Sequence, residues 1–226
     1  MARSKGNIMV ICAHSDDQVI GAGGAMAKYA KDGYNIYTVI MSYGENVKPH
    51  MRPEVITKMR IQESVRADKL IGGKGVSFLG LKELHFEEEL KKGDLESKFH
   101  NTIKKINPIK IFTHSMDDAH PDHRATLRIA YYAYEKLRLN CALYTFEVWH
   151  LFNIKKRNKP KLIVDTTDTF SIKVNALKAF KSQIKLSSFY NYLVLNNFFF
   201  FIIHIKDYIN GLKYNFRTAE VFYKLR

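Results

Sequence analysis

The sequence predicts an α/β fold, a Rossmann-like three-layer sandwich with a mostly parallel central sheet. Short apolar, β-branched runs alternate with helical periodicities along the chain. Two of those runs end in polar segments rich in His and Asp, and composition does not change before about residue 187. Ligands in such folds bind outside the carboxyl ends of the strands, so both polar segments are expected at one edge of the sheet.

Asn7–Ala13 (NIMVICA) is short and apolar, as a buried strand is. His14–Gln18 and Gly21–Gly24 end it, and a helical pattern runs from about Gly21 to Lys31, where Asp32–Gly33 supplies a C-cap. Tyr34–Met41 is the second strand. Ser42–Pro53 reads as a loop long enough to be functional. Glu54–Ile71 is helical through Val55, Met59, Val65 and Leu70, and stops at Gly72–Gly73. Val76–Leu81 is a short strand, Asp94–Ile106 a helix closed by Asn107–Pro108, and Lys110–His114 a strand. Ser115–Asp122 is a polar loop, and Pro121 suits the first turn of a helix through Leu137. Cys141–Trp149 and Lys161–Val164 are the last strands, and Thr167–Lys185 is a long helix. Residues 1–226 read as a single domain whose aromatic-rich segment at about 187–226 has no clear pattern.

Composition excludes several classes. With 226 residues, 46% of them apolar and 26% charged, the chain is globular rather than disordered. Two cysteines, Cys12 and Cys141, are too few for a disulfide scaffold or a four-thiolate zinc ribbon. No secretory signal opens the sequence, and the apolar stretch Tyr192–Ile205, interrupted by Asn196 and Asn197, falls short of a membrane span. The expected setting is the cytoplasm. The net charge of +14 raises non-specific affinity for polyanions, but the lysines are scattered and no nucleic-acid motif accompanies them.

The chemistry lies in Ala13-His14-Ser15-Asp16-Asp17-Gln18 and His120-Pro121-Asp122-His123. Each segment alone also fits capping and turn chemistry. Together, after two strands that end at one edge, they offer imidazoles and carboxylates for a divalent metal with open positions for water. Asp16 and Asp17 cannot both point at one ion from an extended segment, so one is free to act as a base.

These residues resemble the PIG-L/LmbE-like deacetylase family, whose signature reads AHPDDE and then HPDH; here AHSDDQ is followed by GAGG and, about 100 residues on, by HPDH. Weaker likenesses are Gly44–Glu45, Arg60-x-x-Glu63, Val164–Asp165, Asp168–Thr169, Lys173, Ala176–Leu177, Lys181–Gln183, Gly211 and Ala219–Phe222. The resemblance implies metal ligands His14, Asp17 and His123, and Asp16 as general base. It implies that His120 stabilises the oxyanion or acts as acid, that Asp122 orients a catalytic histidine, and that Arg60 contacts substrate. Zinc is the implied metal, with other first-row ions also suited to these ligands. The implied activity is hydrolytic removal of an N-acetyl group from an N-acetylglucosamine-type sugar or glycoconjugate. A protonated His120 would then donate to the tetrahedral oxygen.

Three departures stand out. Ser15 replaces the family's Pro, which loosens the turn. Gln18 replaces its Glu, which removes a charge beside the metal. Phe180 stands where the family has a histidine. They keep two other readings open: a degenerate sugar- or nucleotide-binding protein, and an amide hydrolase for a non-sugar substrate.

Other features read as structural. Gly21–Gly24 lacks the spacing of a dinucleotide site and suits close helix–strand packing. Asp117 and Asp118 read as loop solvation, although the family often has an acid at the latter position. His50, His85, His100, His150 and His204 are single, and Trp149 at the end of a strand fits the core, with the lining of a sugar pocket as the alternative. Phe198–Ile203 fits a buried core or the interface of a homo-oligomer, with a membrane-surface anchor or acyl-chain pocket as the alternative.

Overall fold

The computed structural model describes residues 4–44, 52–148, 160–184 and 203–226. Trp149, His50, His150 and the phenylalanines of Phe198–Ile203 lie outside the described residues. The elements are β1 (Asn7–Cys12), α1 (Asp17–Lys31), β2 (Asn35–Ile40), α2 (Pro53–Ile71), β3 (Gly75–Phe78), α3 (Phe86–Leu90), α4 (Leu95–Ile106), β4 (Lys110–His114), α5 (Pro121–Lys136), β5 (Ala142–Phe146), β6 (Lys161–Asp165), α6 (Phe170–Leu177), α7 (Lys181–Ile184), a helix α8 over 203–213 and β7 (Ala219–Lys224).

The seven described strands form one sheet in the order β3-β2-β1-β4-β5-β7-β6. All run parallel except β7, which lies antiparallel between β5 and β6. Strand alternation assigns the faces. Ile8, Val10 and Cys12 join the core beneath α1, α2 and α6, whereas Met9, Ile11 and Ala13 join the core beneath α3, α4 and α5. This is the expected three-layer arrangement. Chain order reverses between β1 and β4, so the loops after these strands diverge and leave a crevice between them. Both His/Asp segments follow these two strands. Among the described residues no helix is long and apolar enough to cross a membrane.

Several boundaries differ from expectation. Helix α1 starts at Asp17 rather than Gly21, because the Asp16 carbonyl accepts the Val19 and Ile20 amides. The expected helix over Thr167–Lys185 is two helices. The chain turns at 178–180, which buries Ala179 and Phe180, and Glu63 accepts from the amide and hydroxyl of Ser182 to start α7. Helix α3, five residues long, is too short to show a period. Strand β7 hides its alternation behind a buried acid, Glu220.

The glycines of α1 are spacing devices. A Cβ on Gly21 would lie 2.2 Å from the Phe146 ring, and one on Gly24 would lie 2.8 Å from Thr166. The amides of Gly24 and Ala25 donate to the Glu220 carboxylate at 3.0 and 2.8 Å, so this turn holds an internal anion rather than a nucleotide phosphate. Helix propensity alone would make Gly21→Ala stabilising by about 1 kcal/mol. Overpacking against Phe146 costs about 1–3 kcal/mol. The expected result is a lower melting temperature; a raised one would show that Phe146 moves aside.

Candidate metal centre

The end of β1 delivers His14, and the first turn of α1 delivers Asp17. The loop after β4 delivers His120 as the N-cap of α5, with Pro121 at the start of the helix and Asp122 and His123 in its first turn. The two segments meet. Asp17 Oδ2 accepts the His14 amide at 2.8 Å and lies 3.3 Å from each of three imidazole nitrogens: His14 Nδ1, His114 Nε2 and His123 Nε2. The His14 ring centroid is 4.9 Å from that of His120 and 5.4 Å from that of His123.

Two of these histidines turn their other nitrogen toward a carboxylate. His14 Nε2 is 3.3 Å from Asp122 Oδ2, and His123 Nδ1 is 2.9 Å from Asp118 Oδ1. An imidazole held by an acid on one side, with the opposite nitrogen aimed inward, is the outer-shell pattern of metal-binding histidines. Asp122 thus orients His14, whereas His120 only accepts the Asp122 amide, through Nδ1 at 3.2 Å. Asp118 is not a solvated loop residue. Its side chain is 0% exposed, and it also accepts the amides of His120 and Val148.

Electrostatics follow from this crowding. Burial works against a charged His14, but hydrogen bonds to Asp122 and Asp17 outweigh it and lift the imidazole to about 10. His123 is lifted to about 9 against burial by Asp17 and Asp118. Burial would raise Asp17, but His123 and His114 hold it well below the usual carboxylate range. Asp16 is pushed up by burial and then by Asp17. Burial, then His14 and His123, hold His120 below its ordinary value.

These residues fit a divalent cation. Distances of 3.3 Å are long for charge-assisted hydrogen bonds, which run about 2.7–2.9 Å. They match the spacing of about 3.4 Å between two ligands that share a tetrahedral zinc at bonds of about 2.1 Å. Neither nitrogen of buried His123 makes an aligned hydrogen bond; Nδ1 approaches Asp118 at 2.9 Å, and Nε2 is left open toward Asp17. Among the described residues two overlapping donor groups lie within coordinating reach: Asp17, His114 and His123, and His14, His120 and His123.

Asp16 is half-buried and shares no contact with these histidine nitrogens shorter than 4 Å. Arg60 does not open onto a surface. It is 1% exposed, and its Nη1 donates to the Ser15 hydroxyl at 3.3 Å. Ser15 therefore does not loosen the turn as expected, because its hydroxyl takes Arg60 and its carbonyl takes Ser64. Gln18 is fully buried; its Oε1 accepts from Cys12 Sγ at 3.6 Å, and Nε2 has no partner.

The sequence reading missed His114 and Glu83. His114 looked like the end of a strand. Glu83 Oε1 is 3.7 Å from His14 Nε2, on a loop that turns at Leu84 with φ +66 and is held where the Leu84 amide donates to Asp122 Oδ1 at 2.8 Å. Two residues with positive φ, Gly80 and Leu84, shape the loop, and only the glycine is a turn signal in the sequence.

The model of the family described as PIG-L, GlcNAc-PI de-N-acetylase, matches residues 9–134, which hold both segments of the centre. The chain belongs to the PIG-L family. Enzymes of two kinds are among the proteins it is similar to. The 4-oxalmesaconate hydratase of Pseudomonas putida is 24% identical over 206 residues, covering 83% of this chain and 78% of that protein. The structure of GalB, the 4-carboxy-2-hydroxymuconate hydratase of the same species, has a TM-score of 0.79 at 20% identity, covering 98% of this chain and 96% of that one. The N,N'-diacetylchitobiose deacetylase of Pyrococcus horikoshii has a TM-score of 0.75 at 20% identity, covering 97% and 83%. These structural likenesses show the PIG-L fold.

Proposed function

We propose that this PIG-L protein is a zinc-dependent hydrolase that removes an N-acetyl group from an N-acetylglucosamine-type sugar or glycoconjugate. The reading rests on one observation. His14 and His123 each have one nitrogen against an acid and the other 3.3 Å from Asp17, while Asp16 stands beside them outside the donor set. A divalent ion held by His14, Asp17 and His123 supplies Lewis acidity toward a carbonyl and acidifies water.

The chain's own groups do the rest. Asp16, its affinity for a proton raised by burial, takes the proton of the attacking water and passes it to the departing amine. His120 Nδ1 accepts the Asp122 amide, so its proton sits on Nε2. Neutral His120 can therefore donate from Nε2 to the carbonyl oxygen as negative charge develops there. This differs from the protonated His120 expected from the sequence, because burial and two neighbouring imidazoles disfavour its charge. Arg60, held beneath the turn by Ser15, places positive charge near Asp16 and Asp17. Glu83 can accept from a sugar hydroxyl at the rim. Cys12 and Cys141 are both free thiols, which suits a cytoplasmic setting.

The likeness to the hydratase favours a second reading, water addition to an unsaturated oxo acid at the same centre. The carboxylates of Glu83, Asp16 and Asp122 around His14 oppose a polycarboxylate substrate. The deciding experiment incubates zinc-loaded and chelator-treated protein with a panel of N-acetylated amino sugars and, separately, with 4-oxalmesaconate. Zinc-dependent acetate release is expected. Zinc-dependent loss of 4-oxalmesaconate absorbance with no acetate would transfer the assignment to a hydratase. Full zinc loading with neither reaction would favour a binding protein.

A further inference from the structure

We propose that His114 is a positioning residue for the metal centre, acting through the Ala13 amide and the ring of His123 without ligating the ion. This rests on the reading that His14, Asp17 and His123 hold a cation.

His114 ends β4, next to β1 in the sheet, and its side chain is 0% exposed. Its Nε2 accepts the Ala13 amide at 3.0 Å. Nε2 is thus engaged by the backbone, and the same nitrogen lies 3.3 Å from Asp17 Oδ2, so it faces the ligand set from behind rather than offering a free lone pair to an ion. Ala13 immediately precedes His14, and the turn from His14 to Asp17 is closed by the carboxylate of Asp17 on the His14 amide. His114 therefore ties the entry of this turn to the neighbouring strand. Its flat face lies on His123, with centroids 3.9 Å apart and planes 18° from parallel, while Phe146 packs at 5.0 Å. One imidazole thus sets the turn that carries His14 and Asp17 and the plane of His123.

His114 Nδ1 is buried without a hydrogen bond. A leucine or phenylalanine would fill the same space without that cost. Retaining an imidazole here is explained by the acceptor at Nε2, since the Ala13 amide would otherwise be buried without a partner.

The test compares His114→Leu, which keeps bulk but has no acceptor, with His114→Gln, whose amide oxygen reaches toward the position of Nε2. Zinc affinity is read by competition with a chromophoric chelator, and the melting temperature of the metal-free protein is read in parallel. His114→Leu is expected to lose about 10–100-fold in zinc affinity, the range for outer-shell partners. His114→Gln is expected to keep most of the parent's affinity, even if both variants melt at the same temperature. Equal affinity for parent and His114→Leu overturns the proposal, as does equal loss in both variants. Should His114→Leu fail to fold, ¹⁵N spectra of the cadmium-loaded parent decide. Cadmium coupling at His14 and His123 but not His114 supports the proposal, and coupling at His114 overturns it by making this residue a ligand. A parent that binds neither metal would sink the metal reading itself, a result distinct from any difference between the variants.

Discussion

Asp16→Asn and Asp17→Asn part company. The first is expected to keep bound zinc and to lose roughly 10²–10⁴-fold in turnover, the range for a lost general base. The second is expected to lose both metal and turnover. Asp17 Oδ2 lies 3.3 Å from three imidazole nitrogens, so an amide there turns a donor-poor neutral group toward an ion that needs a carboxylate. Asp16 is adjacent in sequence but caps the start of α1, and its carboxylate is free of those histidines. His123→Ala should behave like Asp17→Asn. Metal content by elemental analysis and acetate release on the same preparations check the pair. Equal metal loss in Asp16→Asn and Asp17→Asn would show that the base assignment is wrong.

Lys173→Met should cost about 3–5 kcal/mol and lower the melting temperature by on the order of 10 °C. Lys173 is 1% exposed, and its Nζ donates to Asp207 at 2.6 Å and to Glu220 at 2.7 Å. Glu220 also receives the Gly24 and Ala25 amides of α1, the helix whose first turn carries Asp17. Removing the lysine takes away the cation hydrogen-bonded to both buried carboxylates; Lys206 is near them, but its Nζ donates to the Glu147 carbonyl. The double variant Lys173→Met/Glu220→Gln removes one of those charges, keeps an acceptor for α1, and should recover part of the loss. A melting temperature for Lys173→Met close to the parent's would mean that water reaches this cluster.

The parts legible in sequence were those written in local pattern. The strand at residues 7–12 is an apolar run, the helix at 121–136 opens on a proline, and the residues that carry the two segments of the site sit next to each other in the chain. That both segments lie at one edge of a mostly parallel sheet followed from the alternation of elements; the strand order, which reverses between β1 and β4, did not. What could not be read was pairing across distance. His114 meets Ala13, 101 positions earlier, and Lys173 meets Glu220 47 positions later. Asp118 looked solvated although His123 is only five positions on, because the loop conformation that turns its carboxylate back onto the first turn of α5 has no sequence period. Glu220 concealed β7, since an acid at a core position contradicts the alternation that marks a strand.

Anomalous diffraction at the zinc edge, from crystals grown with zinc, would show whether the two segments grip one cation. A single strong peak is expected within about 2.3 Å of a donor atom on each of His14, Asp17 and His123. A zinc-saturated crystal whose peak lies elsewhere, or one in which Asp17 still contacts the histidines with no peak between them, would contradict it.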